Sequence, residues 1–238
     1  MAGATDPGLR YPANFDVLHV APPLLAVADG MGAGEGSAAA GRTAVEVLAE
    51  EVRDWDGTGP ARLRAAVGKA QRKVCAIGDQ LGELAGCTLT ALVAGAGADP
   101  HAGWIVHIGD SRAYRLRDGL LEVLTVDHTA AWLGAVHGWY PADSPAAARA
   151  RYQLTRYVGH PGRPEPDVLS VAFRPGDVYC LCTDGIFEQV DYRTLAEILG
   201  FGAPLPEAAD ALVKASLAVG GRDNATVALA RIGELPQR

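Results

Sequence analysis

Two hydrophobic periodicities divide the chain. The run Leu24–Ala28 is apolar throughout and stops at Asp29-Gly30, the mark of a buried strand that delivers a polar turn. After the glycine-rich stretch Gly30–Gly36, the alanine-rich segment from Ser37 to Val52 places Val45, Leu48, Ala49 and Val52 on one face of a helix. A second helix follows Pro60, where Leu63, Val67, Ala70, Val74, Ile77 and Leu81 recur at spacings of three and four. The pattern then becomes strand-like over Cys87–Ala94, Trp104–Ile108 and Ala113–Arg117. Asp118-Gly119 is a hairpin signal leading into Leu120–Leu124.

Residues 129–153 break this regularity with Trp132, Trp139, Tyr140, Pro141 and the arginines Arg149 and Arg151. They predict an irregular, partly helical excursion whose tryptophans anchor it to the body of the protein, because tryptophan more often buries than binds. Strands resume at Val168–Phe173 and Val178–Cys182, followed by helices at Tyr192–Leu199 and Pro206–Val219 and a last strand at Ala225–Ile232. Strand, helix pair, meander, excursion, strand pair, helix pair and strand suit antiparallel sheets covered by helices better than a βαβ ladder. The expectation is one α+β domain over residues 1–238, with no internal repeat.

Composition narrows the classes available. Of 238 residues, 49% are hydrophobic, enough to offset the ordering entropy of a packed core. Asp plus Glu number 28 against 21 Lys plus Arg, a net charge of −7 with no basic block, which disfavours nucleic acid as a partner. Met1 to Leu9 has neither a basic nor an apolar region of a secretory signal. The uncharged stretches Leu84–Ala98 and Val17–Ala28 are shorter than a bilayer span, so no membrane association is expected. Cys75, Cys87, Cys180 and Cys182 do not suggest a disulfide scaffold, and Cys180 and Cys182 alternate along one strand face as buried thiols. Together these point to a reduced, cytoplasmic protein.

The chemistry lies in a recurring context. Asp29, Asp110 and Asp184 each end an apolar run just before a glycine or serine, and Asp223 stands just before the last strand. Each alone is an ordinary turn signal. Carboxylates that converge repel one another unless protonated or bound to cations, and hard oxygen donors suit Mg²⁺ or Mn²⁺. On spacing alone, a divalent-cation site and a set of plain turns both remain open.

The segments Val27-Ala28-Asp29-Gly30-Met31-Gly32, Gly86-Cys87-Thr88-Leu89 and Gly109-Asp110-Ser111-Arg112-Ala113-Tyr114 stand in that order. Thr125-Val126-Asp127-His128-Thr129, Leu154-Thr155-Arg156, Cys182-Thr183-Asp184-Gly185-Ile186 and Asp223-Asn224-Ala225-Thr226 follow them. In order and spacing, from about Arg10 to Ile232, the chain resembles the metal-dependent protein phosphatases of the type-2C class. The resemblance implies a four-layer αββα sandwich of two antiparallel sheets flanked by helix pairs. It also implies a serine/threonine phosphoprotein phosphatase acting through two divalent cations, Mn²⁺ or Mg²⁺, and an activated bridging water. Asp29 would bridge the cations and the Gly30 carbonyl would bind one of them. Asp184 and Asp223 would complete the set, Asp16 would act through water, and Asp110 and Glu188 with Asp184 would hold a third ion. Asp29, Asp184 and Asp223 would thus be the catalytic residues and Arg10 the substrate-binding one. The implied partner is a phosphoprotein, the substrate of a bacterial serine/threonine kinase, met by a monomeric enzyme.

The departures from the family pattern are specific. Arg10 stands four residues before Asn14 where the family has three, and Phe15 takes a position usually held by an acid or amide. The loop between Asp29 and Gly34-Glu35 is short, and Glu188 stands where Asp is usual. Met31 replaces a histidine proposed as general acid in eukaryotic relatives, and a thioether has no proton to donate. Bacterial relatives share this Met. Residues 129–153 correspond to the family's flap over the active site. Such departures motivate a second reading, a phosphatase-fold regulatory or phosphoprotein-binding protein with weakened catalysis.

Overall fold

The computed structural model describes residues 1–32, 34–55, 59–95, 102–141 and 143–235. In chain order the first half forms β1 (Ala2–Asp6), β2 (Val17–Ala21), β3 (Leu24–Ala28), α1 (Glu35–Val52), α2 (Pro60–Leu81), β4 (Leu89–Ala94), β5 (Ala102–Ile108), β6 (Arg112–Arg117) and β7 (Leu120–Val123). The second half forms α3 (Ala130–His137), α4 (Pro145–Ala150), β8 (Asp167–Ala172), β9 (Val178–Cys182), α5 (Asp184–Phe187), α6 (Tyr192–Gly200), α7 (Leu205–Ala218) and β10 (Ala225–Arg231).

Two antiparallel five-stranded sheets result, ordered β1-β10-β9-β6-β7 and β2-β3-β4-β5-β8. Strand periodicity explains the layering. In β3, Leu24, Ala26 and Ala28 face α1 and α2, while Leu25 and Val27 face the other sheet. Cys180 and Cys182 of β9 turn outward beneath α6 and α7, and Tyr179 and Leu181 turn inward. The order helix pair, sheet, sheet, helix pair is the αββα sandwich expected from the sequence.

Local chemistry sets the helix ends. Pro60 opens α2, where a missing N–H costs nothing, and Gly82 closes it with φ of 65°. The Asp191 carboxylate caps α6 by accepting from the Arg193 and Thr194 amides. At α1 the cap comes from a distance, since Glu83 Oε1 accepts from the Gly36 N–H at 2.6 Å.

Two strands went unpredicted, and one expectation requires correction. The alternation Ala2-Gly3-Ala4-Thr5-Asp6 carries no strand signal of its own, yet it forms β1 through its pairing with β10. Val17–Ala21 likewise becomes a separate strand, β2. The excursion at 129–153, apart from residue 142, which lies outside the described residues, contains α3 and α4, but its tryptophans do not anchor it. Trp132 is 47% exposed and Trp139 is 62% exposed, the latter stacked on His137.

The two sheets are joined at one corner by Arg117, at the end of β6. Its guanidinium grips Asp177 with bonds of 2.7 and 2.6 Å and also donates to the Ala172 carbonyl at the end of β8, in the opposite sheet. Burial works to raise the Asp177 carboxyl, but Arg117 and the Arg174 amide outweigh it and hold the group below the usual carboxylate range. Arg117→Met, which keeps bulk but strands a buried carboxylate, is expected to destabilise the fold by about 3 kcal/mol in urea unfolding at pH 7. Because the native value is lowered, that stabilisation is present above the unfolded carboxylate value near ~4 and is lost as pH falls through the native value. The gap between the two proteins should therefore close in strong acid.

Candidate metal centre

Antiparallel register brings the acids together. Ala28 pairs with Val17, so Asp29 after β3 and Asp16 before β2 share one end of their sheet. Ile108 pairs with Leu89, which brings Asp110 to the same end. In the other sheet Val227 and Arg112 both pair with Cys182, so Asp223 before β10 and Asp184 after β9 meet beside the start of β6. Acids separated by as much as the chain's length thus gather at one end of the sandwich.

A cavity of about 440 Å³ opens there, lined by Asp29, Gly30, Asp110, Asp184 and Asp223 together with Phe15, Met31, Thr88 and Tyr152. Asp16 lies behind it, buried. A neighbouring hollow of similar size shares Asp184, Asp223 and Tyr152 and adds Arg10, Glu188 and Arg222. The residues singled out from sequence therefore line two adjoining hollows, with Asp16 just beneath.

Burial first, then the charges of Asp16, Asp184, Asp110 and Asp223, push the Asp29 carboxyl well above its usual range. Asp184 is raised in the same way, by burial and then by Asp110, Asp223, Asp16 and Glu188. Burial raises Asp16 to about 7 even though Thr226 and Thr183 hydroxyls oppose it. Asp110 also rises to about 7, through burial and the Asp127 charge. Asp223 is raised by burial, while the Asn224 amide and Arg10 pull it down. Every core acid is thus driven toward protonation, as expected for carboxylates gathered without a counter-charge.

The donor set suits a hard divalent cation. Two buried oxygens, Asp16 Oδ1 and Asp184 Oδ1, have no hydrogen-bond partner, an expensive condition that a cation would relieve. Gly30 contributes backbone alone: a Cβ there would fall 2.7 Å from Ser37 Oγ and 2.8 Å from the Phe15 carbonyl oxygen. Among the described residues no three His, Cys, Asp or Glu side chains are gathered tightly enough to enclose an ion as they stand.

Several supports escaped the sequence reading. Thr183 Oγ1 donates to Asp16 Oδ2 at 2.8 Å. The Asn224 side chain accepts from the Phe15 N–H and donates to the Pro7 and Ala13 carbonyls, which pins the segment that carries Arg10. Only the Asp223-Asn224-Ala225-Thr226 motif hinted at this role. Arg10 is exposed, its guanidinium 5.3 Å from the Tyr11 ring and close enough to Asp223 to lower it. Glu188 accepts from the Tyr152 hydroxyl at 3.2 Å, with Arg151 3.9 Å away, so the excursion touches a residue assigned to a third ion. His128 accepts from the Gly109 N–H through Nδ1 at 3.1 Å, and its Nε2 lies 3.1 Å from Asp167 Oδ2 and 2.8 Å from Arg156 Nη1.

The family model described as protein phosphatase 2C matches residues 15–218. The serine/threonine protein phosphatase PstP of Mycobacterium tuberculosis is 34% identical over 97% of this chain. The chain spans only 44% of that relative's length. Serine/threonine phosphatase stp of Listeria monocytogenes is 30% identical over 87% of this chain and 83% of its own. Among solved structures, M. tuberculosis PstP superposes with a TM-score of 0.86 at 33% identity, covering 98% of both chains. The PstP catalytic domain in complex with two manganese ions superposes at 0.85 and 34% identity, covering 98% of this chain and 97% of that one.

Raised native carboxylates make a signed prediction. Between the unfolded value near ~4 and the raised native values, the native state binds more protons than the unfolded chain, so stability falls as pH rises. Without divalent cation, Tm should drop between pH 5.5 and 8.5. Asp184→Asn should flatten that slope and raise Tm at pH 8.5 by on the order of 2–4 °C, as followed by thermal melts in chelator.

Proposed function

Because the chain belongs to the protein phosphatase 2C family, we propose that it is a divalent-cation-dependent phosphatase that hydrolyses phosphoserine and phosphothreonine monoesters in proteins. The observation that carries this reading is the cavity ringed by Asp29, Asp110, Asp184 and Asp223, with Arg10 beside Asp223. Supporting it are relatives named serine/threonine phosphatases in two bacteria, and two manganese ions in the M. tuberculosis catalytic domain.

In this reading Asp29, the Gly30 carbonyl, Asp184 and Asp223 hold two divalent cations, Mn²⁺ or Mg²⁺, and Asp16 supports them through water. When bound, the cations supply the positive charge that acidifies water and offsets charge on the phosphoryl oxygens. Arg10 offers guanidinium donors to the phosphate from the adjoining hollow. Asp16, held by Thr183, keeps an acceptor beneath the floor of the cavity, where it can orient water. Met31 lines the cavity but has no proton to give, so it shields the chemistry rather than protonating the leaving group. A third ion at Asp110, Asp184 and Glu188 would share Glu188 with the Tyr152 hydroxyl, which donates to Oε2.

The mutual repulsion of the acids argues against decayed catalysis, since a chain with no cation to hold would gain stability by losing them. Among the described residues no helix is long and apolar enough to cross a membrane. A cytoplasmic monomer reversing a bacterial serine/threonine kinase completes the proposal.

Hydrolysis of p-nitrophenyl phosphate and of a phosphothreonine peptide should depend on added Mn²⁺ and vanish in chelator. The Asp184→Asn, Asp223→Asn double variant should show no turnover above background, and Arg10→Ala should raise KM for the peptide. Metal-independent turnover, or activity retained in the double variant, would overturn the assignment.

A further inference from the structure

Thr88 and Ser111 are buried where two acid-bearing turns meet. Thr88 lies just before β4, and Ser111 follows Asp110 in the crossover from β5 to β6. Thr88 holds the Asp29 peptide from both sides. Its own N–H donates to the Asp29 carbonyl at 2.8 Å, and its Oγ1 accepts from the Asp29 N–H at 2.8 Å. Oγ1 also lies 2.7 Å from Ser111 Oγ, so one hydroxyl hydrogen bridges the two side chains. The Ser111 carbonyl is held in turn by the Thr90 hydroxyl at 3.0 Å.

The other branch of Thr88 fixes its rotamer. Gly109 runs past it with φ of 115°, and a Cβ there would come within 2.6 Å of Thr88 Cβ and Cγ2. With the methyl in that slot, the hydroxyl faces Asp29 and Ser111. A β-branched residue with one polar arm meets both demands.

The geometry points to Thr88, backed by Ser111, as a positioning residue that fixes the Asp29 backbone and thereby the directions in which the Asp29 carboxylate and the Gly30 carbonyl meet a divalent cation. The inference rests on the cation-dependent reading of the same cavity. Thr88 lines the cavity, but the contacts through which it acts are those to the Asp29 peptide. The clamp joins the end of β3 in one sheet to the turn that enters β6 in the other, so it also sets the distance between the Asp29 and Asp110 turns.

Two variants separate positioning from packing. Thr88→Val keeps the shape and removes the hydroxyl, whereas Thr88→Ser keeps the hydroxyl and removes the methyl. In Mn²⁺ titration calorimetry, Thr88→Val should weaken binding by about ten- to a hundredfold, the usual effect of losing a partner that orients a ligand. Exchange of the Asp29 amide, followed by NMR without cation, should accelerate about tenfold. Thr88→Ser should stay close to wild type in both measurements. The reverse pattern, with Thr88→Val harmless and Thr88→Ser damaging, would reduce Thr88 to a packing residue and overturn the inference. If Thr88→Val does not fold, Ser111→Ala takes its place, and unchanged Mn²⁺ affinity and Asp29 exchange in that variant would equally overturn it. A wild-type chain that binds Mn²⁺ and shows the expected exchange pattern but cleaves no phosphomonoester would sink the proposed function and leave this inference standing. A wild-type chain that binds no Mn²⁺ overturns both.

Discussion

Mutual repulsion among buried carboxylates is the constraint around which the rest of this structure is arranged. Burial raises Asp16, Asp29, Asp110, Asp184 and Asp223 alike, and the charges of neighbours in the group add to it at Asp16, Asp29 and Asp184. Arg10 reaches Asp223 from the exposed side and Arg112 bears on Asp110, yet both acids remain raised. Such a cluster survives only if the surrounding scaffold holds the acids in place more firmly than they push apart. Two sheets with separate helix-covered cores supply that rigidity, and Arg117, held by Asp177, ties them at one corner through the Ala172 carbonyl.

The means of holding differ from acid to acid. Asp16 is gripped through its carboxylate by Thr183, Asp29 through its peptide by Thr88, and Asp223 by the amide of the next residue. Neutral donors and acceptors dominate, leaving the cluster's charge for a cation. Holding a ligand by its backbone keeps its carboxylate lone pairs free, whereas an arginine clamp on the same group would occupy them. Where an arginine does grip an aspartate bidentately, as Arg112 grips Asp127, the pair lies beside the centre.

Much of this was legible in the sequence because it depends on local pattern. An apolar run ending in Asp before Gly or Ser identifies a strand and the acid it delivers, and Asp29, Asp110 and Asp184 all announce themselves that way. Periodicity pointed to antiparallel sheets covered by helices, and the αββα layering was what the family resemblance implied. What escaped was non-local. β1 has no apolar run and exists because β10 supplies its partners. Asn224, Thr88 and Thr183 are small polar residues whose task is set by what lies across the fold, and no spacing reveals a hydroxyl's acceptor. The tryptophans misled for a different reason. A prior that holds for large side chains over whole proteins fails on a short, exposed element such as α3, which has little core to bury them against.

The pinning of the first residues by Asn224 has a consequence in time as well as space. Asn224 bonds Pro7, Ala13 and Phe15, and β10 behind it is flanked by β1 from the chain's start and β9 from near its end. Emerging residue by residue from a ribosome, the segment bearing Arg10 lacks the Asn224 contacts that pin it until the start of β10 has been made. The nascent chain therefore cannot bring all its acids together early, and a partly made molecule carries no complete centre with which to act on its neighbours.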